Sequence, residues 1–424
     1  MRCIPCLILA VLAVQGCKSC RTERVAPPAQ ADVLHAEPAE PEPEPDPFAG
    51  LAAVDPGSLG LVNPDPALEA VSTSALISIK GMLMNEKHDE AREKLEELLE
   101  VHPGLLEPSF TMADLFLREG EVDEAATLIE HVLLARYPLY ATKLIATPSF
   151  KWLEKKNPDA WRDLIEAREA ARRGWAEAMT RPGVFLLVAP PYPADKPGDP
   201  DSVKLNRGWV VFLDAETGRF LPLTPRANAA GFILDRGEKR LIVLTWKRYD
   251  RETRDEEGEI MRPALLQGVR IASVDLTTFE TSPSVDLGAD LVEARISIRS
   301  GLVLATVVRL DFEDNEGVET SYEIDCEKFE AKPAPKAPPG PMDLIASYGR
   351  IEPPALPSAG FAQDADALPG GWRCVEPGEG VKLCAVPSGK ESVLHDLVLE
   401  KPAEEDAEPV TLAKGVGILQ IDIL

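Results

Sequence analysis

The chain has 424 residues, of which 45% are hydrophobic, so it is long enough for two or three globular domains with substantial cores. Its 71 Asp and Glu residues outnumber its 45 Lys and Arg residues, which gives a formal net charge of −26. Nucleic acid and anionic lipid headgroups are therefore poor partners for the body of the protein, because binding to phosphates requires clustered cations. We expect no nucleic-acid binding.

Residues 1–16 have the order of features found in an export signal. The charged Arg2 precedes an apolar run at residues 4–14, and the small Gly16 stands directly before Cys17. The apolar run is shorter than the roughly 20 apolar residues that a helix needs to span a bilayer. We therefore expect residues 1–16 to be a removable signal peptide and not a transmembrane helix.

Residues 14–17, Val-Gln-Gly-Cys, resemble the lipobox of bacterial lipoproteins. The resemblance implies that the sulfur of Cys17 carries a lipid, which holds the chain at a membrane. It also implies the outer membrane, because Lys18 is not the aspartate that marks retention at the inner membrane. Which side of that membrane the chain faces is left open. The alternative is an ordinary secretory signal followed by an unrelated cysteine.

Residues 17–66 are predicted to be the lipidated cysteine followed by a disordered linker. Pro, Ala, Glu and Asp dominate this segment, most clearly at residues 36–46. Such a composition has too little apolar surface to offset the entropy lost on ordering, and its prolines and charges keep the chain extended. At roughly 3 Å per residue, the linker reaches more than about 100 Å. The folded domains can thus stand well clear of the membrane.

A helical domain is predicted over residues 67–182, because a short pattern recurs there with a spacing of 34 residues. Asp-Glu-Ala at residues 89–91 returns at residues 123–125, and each copy precedes apolar residues spaced by three and four. A weaker third copy at residues 157–160 begins with an Asn-Pro pair, which is typical of a helix start. We expect Pro138 to end the second helix of the second pair.

This pattern resembles the tetratricopeptide repeat, whose period is 34 residues. An unrelated bundle of helical hairpins is the alternative. The resemblance implies that the first helices of successive pairs line a concave groove, which binds an extended peptide or a helix of a partner protein. Helix position alone selects four candidate groove residues, Lys80, Asp114, Arg118 and Lys143.

A β-rich domain is predicted over residues 183–424, where short apolar runs alternate with turn residues. Several of these runs are too apolar for half-exposed strands and should be covered on both faces. We expect the last run, residues 416–424, to pair with the first run and so remove two exposed sheet edges. The other runs expected to be strands are residues 184–189, 209–213, 232–234, 241–246, 269–274, 296–298 and 302–310.

Parts of this domain repeat along the sequence. A strand, an Asp-x-x-Thr turn and further strands occur at residues 210–245 and again at residues 271–306. This order resembles a blade of a β-propeller. The resulting fold class is a multidomain chain, α then β, with tetratricopeptide-like helical hairpins followed by an antiparallel β module that is propeller-like or, as the alternative, an irregular sandwich.

Four cysteines besides the lipidated one remain after signal removal. Cys374 and Cys384 flank a turn-rich stretch at residues 377–380, so we predict a disulfide that closes a hairpin, since an exported chain meets oxidising conditions. The role of Cys326 stays open, because it suits either a buried thiol or a partner for Cys20.

We find no constellation in the sequence that is typical of catalysis or of metal or cofactor binding. The acidic loop at residues 311–317 has its glycine one place too late for a calcium-binding EF-hand. We therefore predict a membrane-anchored envelope lipoprotein that acts as a protein–protein interaction scaffold, with no catalytic residue, metal or cofactor. Its partners are an envelope protein or peptide in the helical groove and the membrane through Cys17. The alternative is an exported hydrolase or carbohydrate-binding enzyme that uses the β module.

Overall fold

The computed structural model of the chain covers the two predicted folded domains. It describes residues 66–189, 208–225, 228–250, 253–258, 260–262, 265–299, 302–311, 316–325, 328, 330–336, 344–347, 350–352, 373–378, 381–387, 395–400 and 410–423. The predicted signal peptide, Cys17, Cys20, almost all of the linker and Cys326 lie outside the described residues.

Six helices precede the first strand in the described part of the chain. They are α1 (Pro66–Met84), α2 (His88–Val101), α3 (Leu106–Glu119), α4 (Val122–Ala146), α5 (Pro148–Lys156) and α6 (Pro158–Ala178). Ala91 and Ala125, the equivalent alanines of the 34-residue pattern, are fully buried, which allows neighbouring helices to approach closely. The predicted start of α6 is confirmed, because the side chain of Asn157 accepts a hydrogen bond from the backbone N–H of Ala160 at 3.2 Å.

The prediction that Pro138 ends the second helix of the second pair is confirmed. The span α4 contains two helices that meet at a kink at Arg136, whose φ of −156° and ψ of 64° are not helical. A proline lacks the N–H of a helical hydrogen bond and its ring crowds the preceding turn, so the break falls just before it. The helix resumes because Tyr140 and Leu144 on its second half are buried in the core.

The rest of the described chain forms strands. They are β1 (Gly183–Ala189), β2 (Trp209–Asp214), β3 (Phe220–Pro222), β4 (Ala229–Asp235), β5 (Arg240–Thr245), β6 (Arg248–Asp250), β7 (Thr253–Arg254), β8 (Ile260–Arg262), β9 (Leu265–Gln267), β10 (Val269–Asp275), β11 (Val285–Gly288), β12 (Leu291–Arg299), β13 (Leu302–Asp311), β14 (Glu316–Asp325), β15 (Glu330–Ala334), β16 (Leu344–Ser347), β17 (Arg350–Glu352), β18 (Arg373–Gly378), β19 (Val381–Pro387), β20 (His395–Glu400) and β21 (Val410–Ile423). Each of the predicted apolar runs lies in or overlaps a strand.

The described strands form antiparallel sheets of seven, four, eight and two strands. The seven-stranded sheet has the order β18-β19-β20-β21-β1-β2-β3, so the last strand pairs with the first. This pairing confirms the prediction, with Val184 opposite Ile423 and Leu186 opposite Ile421. The four-stranded sheet has the order β11-β10-β5-β4, and the eight-stranded sheet is built around β12 and β13. The unequal sheets do not confirm a propeller, so the propeller-like repeat stays a prediction.

The four-stranded sheet is covered on both faces, as expected for its apolar strands. On β5, Leu241 and Val243 belong to one apolar cluster, whereas Ile242 and Leu244 belong to another. Alternate residues of a strand point to opposite faces, so β5 separates these two cores. The first cluster also contains residues of β1 and β2 and of helices α3 to α6. Helices α3 to α6 and part of the β region therefore share one continuous core, whereas buried residues of α1 and α2 form a separate cluster with residues of α3.

The junction between these parts centres on Trp175 of α6. This side chain is fully buried, its Nε1 donates a hydrogen bond to the carbonyl of Leu134 at 3.0 Å, and its ring lies 5.2 Å from that of Phe279. At the bend of α4, the guanidinium of Arg136 lies over the ring of Trp209 of β2 at 4.1 Å. In the segments that the structure describes, no helix has an apolar stretch long enough to cross a membrane.

Candidate partner-binding groove

A cavity of about 420 Å³ lies between α1, α3 and the C-terminal end of α4. We call it the helical groove. Its lining residues are Lys80, Leu83, Met84, Glu107, Phe110, Thr111, Asp114, Arg118, Lys143 and Thr147. All four residues selected from the sequence are among them, so the structure brings them together in one place. That a partner binds here stays a prediction.

Glu107 is the central charged residue of the groove. Its Oε1 accepts a hydrogen bond from Lys80 Nζ at 3.2 Å, and its Oε2 accepts one from Lys143 Nζ. The hydroxyl of Tyr140 donates to the same Oε2 at 3.4 Å. Because Lys80 belongs to α1 and Lys143 to α4, the carboxylate on α3 links three helices. Partial burial raises the pKa of Glu107, but the ammonium groups of Lys143 and Lys80 outweigh this effect and hold it below its usual value.

Asp114 lies two turns further along α3. Its carboxylate accepts hydrogen bonds from Nε and Nη2 of Arg118 at 3.1 and 2.9 Å, and a third from the hydroxyl of Ser149 on α5. Burial raises the pKa of Asp114, because the attraction of Arg118 only partly offsets the loss of hydration. The two carboxylates of the groove therefore have pKa values shifted in opposite directions.

An apolar wall stands beside these charges. The ring of Phe110 packs between those of Tyr140 and Phe150, at centroid distances of 5.3 and 5.5 Å. Leu83 and the exposed Met84 at the end of α1 continue this wall toward solvent. The groove can therefore receive an apolar side chain while its charged groups contact the backbone or polar side chains of the same ligand.

Sequence reasoning missed Glu107 and Phe110. The signal for Glu107 was nevertheless present, because residues 107, 111, 114 and 118 are spaced by four, three and four and so share one face of α3. The Lys80 to Glu107 bond was not predictable in the same way. It depends on how α1 packs against α3, which no spacing within one helix reveals.

The remaining predicted sites lie elsewhere. Cys374 and Cys384 form a disulfide between β18 and β19, with their Cα atoms 4.1 Å apart. Within the described ranges, no group of three His, Cys, Asp or Glu side chains is close enough to hold a metal ion.

Comparison with known proteins identifies one family that is similar to the segment around the groove. No curated protein matches the chain with significant similarity. The sequence profile of one family, described as tetratricopeptide repeat, matches residues 82–145, which run from the end of α1 to the end of α4. This range contains Glu107 and every predicted groove residue except Lys80. Residues 82–145 are thus similar to a tetratricopeptide repeat, a family whose repeats generally bind protein partners.

Proposed function

We propose that the protein is a membrane-anchored scaffold of the bacterial cell envelope, which holds an extended segment of a partner protein in the helical groove. One observation supports this proposal most directly. The segment that matches the tetratricopeptide repeat provides most of the lining of the groove.

The groove has the properties that a peptide site requires. A cavity of about 420 Å³ is large enough for one or two side chains. Its wall at Leu83, Met84 and Phe110 provides apolar contact, and the groups around Glu107 provide polar contacts that fix orientation. Because the lining residues come from three helices that pack against one another through buried apolar residues, the site exists before the partner arrives.

Site-specific photocrosslinking in intact cells tests the groove. A benzophenone amino acid replaces Met84, which lines the groove and is exposed to solvent. The same amino acid at Glu97, an exposed position on α2, is the matched control. We expect irradiation to give a discrete crosslinked product from Met84 and none from Glu97. Equal products from both positions, or none from Met84, would contradict the proposal.

The anchor is a separate part of the proposal. Its support is the lipobox-like sequence at residues 14–17 together with the Cys374–Cys384 disulfide, because such bonds persist in oxidising compartments and are rare in the cytosol. We place the protein at the outer membrane because Lys18 follows Cys17.

Metabolic labelling with an alkyne fatty acid tests this part. We expect label in the wild-type protein and in Cys20→Ala, but none in Cys17→Ala, and we expect the labelled protein to sediment with outer-membrane vesicles. Label that remains in Cys17→Ala, or an unlabelled protein that retains Met1, would contradict the proposed lipid anchor but not the proposed role of the groove.

A further inference from the structure

The cations of the groove have hydrogen-bond donors that no described protein group uses. An ammonium group has three N–H donors, yet Lys80 and Lys143 each donate only to Glu107. Arg118 uses Nε and Nη2 on Asp114, which leaves its Nη1 without a described acceptor. The groove therefore presents several N–H groups that a ligand can engage.

The carboxylates of the groove, in contrast to its cations, already take part in several hydrogen bonds each. Glu107 already accepts three hydrogen bonds, and so does Asp114. Asp114 is also the deepest of the charged groups, with 13% of its side chain exposed against 39% for Arg118 and 55% for Lys80. Lys80 and Arg118 are thus more exposed to an approaching ligand than either carboxylate, whereas Lys143 and Glu107 are equally exposed, at 32% each.

The net charge of the groove also favours an acceptor-rich, negatively charged ligand. Three cations and two carboxylates leave the groove with a net charge of +1, because 3 − 2 = 1. The whole chain carries −26, so the groove is a positive site within a strongly negative protein. An acidic peptide is therefore repelled by the net charge of the chain as a whole but attracted to this site.

We infer that the partner segment is acidic, an extended peptide in which an Asp or Glu side chain lies next to an apolar one. This inference rests on the proposed function of the groove. The ligand carboxylate accepts hydrogen bonds from Lys80 and Lys143, and the apolar side chain packs between Met84 and Phe110.

Glu107 has a particular role in this arrangement. It holds the two ammonium groups in place, and it also competes with the ligand carboxylate for them and repels it. Neutralising Glu107 therefore strengthens the binding of an acidic peptide. A purely structural role predicts the reverse, since loss of the carboxylate would loosen the contact between the helices.

Selection and titration of peptides test the inference. A displayed library of random 12-residue peptides is selected on the full chain, and enriched peptides are synthesised with a fluorophore for anisotropy measurements. We expect Asp or Glu beside an apolar residue. We expect affinity to fall roughly 2- to 5-fold in Lys143→Gln and to rise by a similar factor in Glu107→Gln, as for a partly exposed charge pair.

Glu119→Gln is the matched control. Glu119 lies on the same helix and pairs with Arg92, but it is not part of the groove lining, so its loss makes the same charge change elsewhere. Affinity should not change in this variant. An equal rise in Glu119→Gln would show that only net charge matters, and a fall in Glu107→Gln would overturn its role as a competitor.

The crosslinker at Met84 separates the two levels of the proposal. Neutral or basic peptides that crosslink at Met84 would overturn the acidic preference and leave the groove as a peptide site. If no selected peptide crosslinks there, the groove is not a peptide site, and the proposed function fails together with the inference.

Discussion

The helical and β parts of the molecule are held together by contacts of different range. In the helical part, Glu107 reaches Lys143 over 36 residues and Trp175 reaches Leu134 over 41. In the β part, the side-chain amide of Gln420 bonds both the N–H and the carbonyl of Phe232, 188 residues away. The helices are thus built from neighbouring units, whereas the seven-stranded sheet depends on β21, near the end of the chain, pairing with β1.

Replacing Trp175 with alanine should have the largest effect, because this residue joins the two parts. The substitution empties a fully buried site beside Phe279 and removes the hydrogen bond to Leu134, so we expect a loss of about 3–5 kcal/mol in the free energy of unfolding. Urea titration followed by circular dichroism measures it. The half-exposed Trp152→Ala is the control and should cost less than about 1 kcal/mol.

The shared core also predicts that helix and sheet signals move together in Trp175→Ala. If the helical signal is lost at low urea while the sheets stay folded, the two parts are energetically independent. The contrast between them would then be one of separate domains and not of contact range within one core.

Gln420→Leu tests the long-range closure of the sheets. The substitution leaves the buried N–H and carbonyl of Phe232 without their partner, which should cost about 2–4 kcal/mol. Gln267→Leu is the matched control, because its amide bonds only Asp250 and Asp290, 17 and 23 residues away. Hydrogen exchange of β1 and β4 should accelerate in the first variant alone. Similar exchange in both variants would mean that contact range does not matter.

Features that depend on local sequence patterns were predictable, whereas most features that depend on long-range contacts were not. The 34-residue spacing located the helices and the start of α6 at Asn157, because each unit repeats a local pattern. The most apolar strands were located too, since continuous apolar runs are also local. They are β1, β2, β4, β5, β10, β12, β13 and β21. The pairing of the last strand with the first was predicted as well, because it removes two exposed edges. The division into sheets of seven, four and eight strands was not predicted, because the other pairings between strands leave no spacing in the sequence.

The groove shows the same limit on a smaller scale. Helix position was sufficient to select Lys80 and Lys143, and the spacing on α3 would have been sufficient to select Glu107. That one carboxylate bridges both lysines depends on the packing of three helices. The further helix that follows Pro138 within α4 was not predicted for a related reason, since it depends on the burial of Tyr140 and Leu144 in the core.

The Cys374–Cys384 disulfide is expected to have the next smaller effect. It closes a hairpin over a separation of only 10 residues, and by loop-closure entropy it stabilises the fold by about 2–3 kcal/mol. Urea unfolding with and without a reductant measures this difference. The double variant Cys374→Ala/Cys384→Ala should be insensitive to the reductant. A larger loss, spreading to β1, would show that this local bond also supports the long-range closure.

The smallest expected effect is on the pH dependence of stability, through the two carboxylates of the groove. Glu107 has a lowered pKa, so its stabilisation is present above the pKa of the unfolded chain and is lost as the pH falls through the lower pKa of the folded state. Asp114 has a raised pKa, so its ionisation costs stability as the pH rises from the unfolded to the folded value. Between about pH 3 and pH 6, Glu107→Gln should therefore weaken the acid sensitivity of the helical signal, whereas Asp114→Asn should strengthen it. Each change should stay below about 1 kcal/mol, because both carboxylates belong to partly exposed ion pairs. Shifts of the same sign in the two variants would contradict this assignment. A shift of the sheet signal would show instead that the charges of the groove act through the core that both parts share.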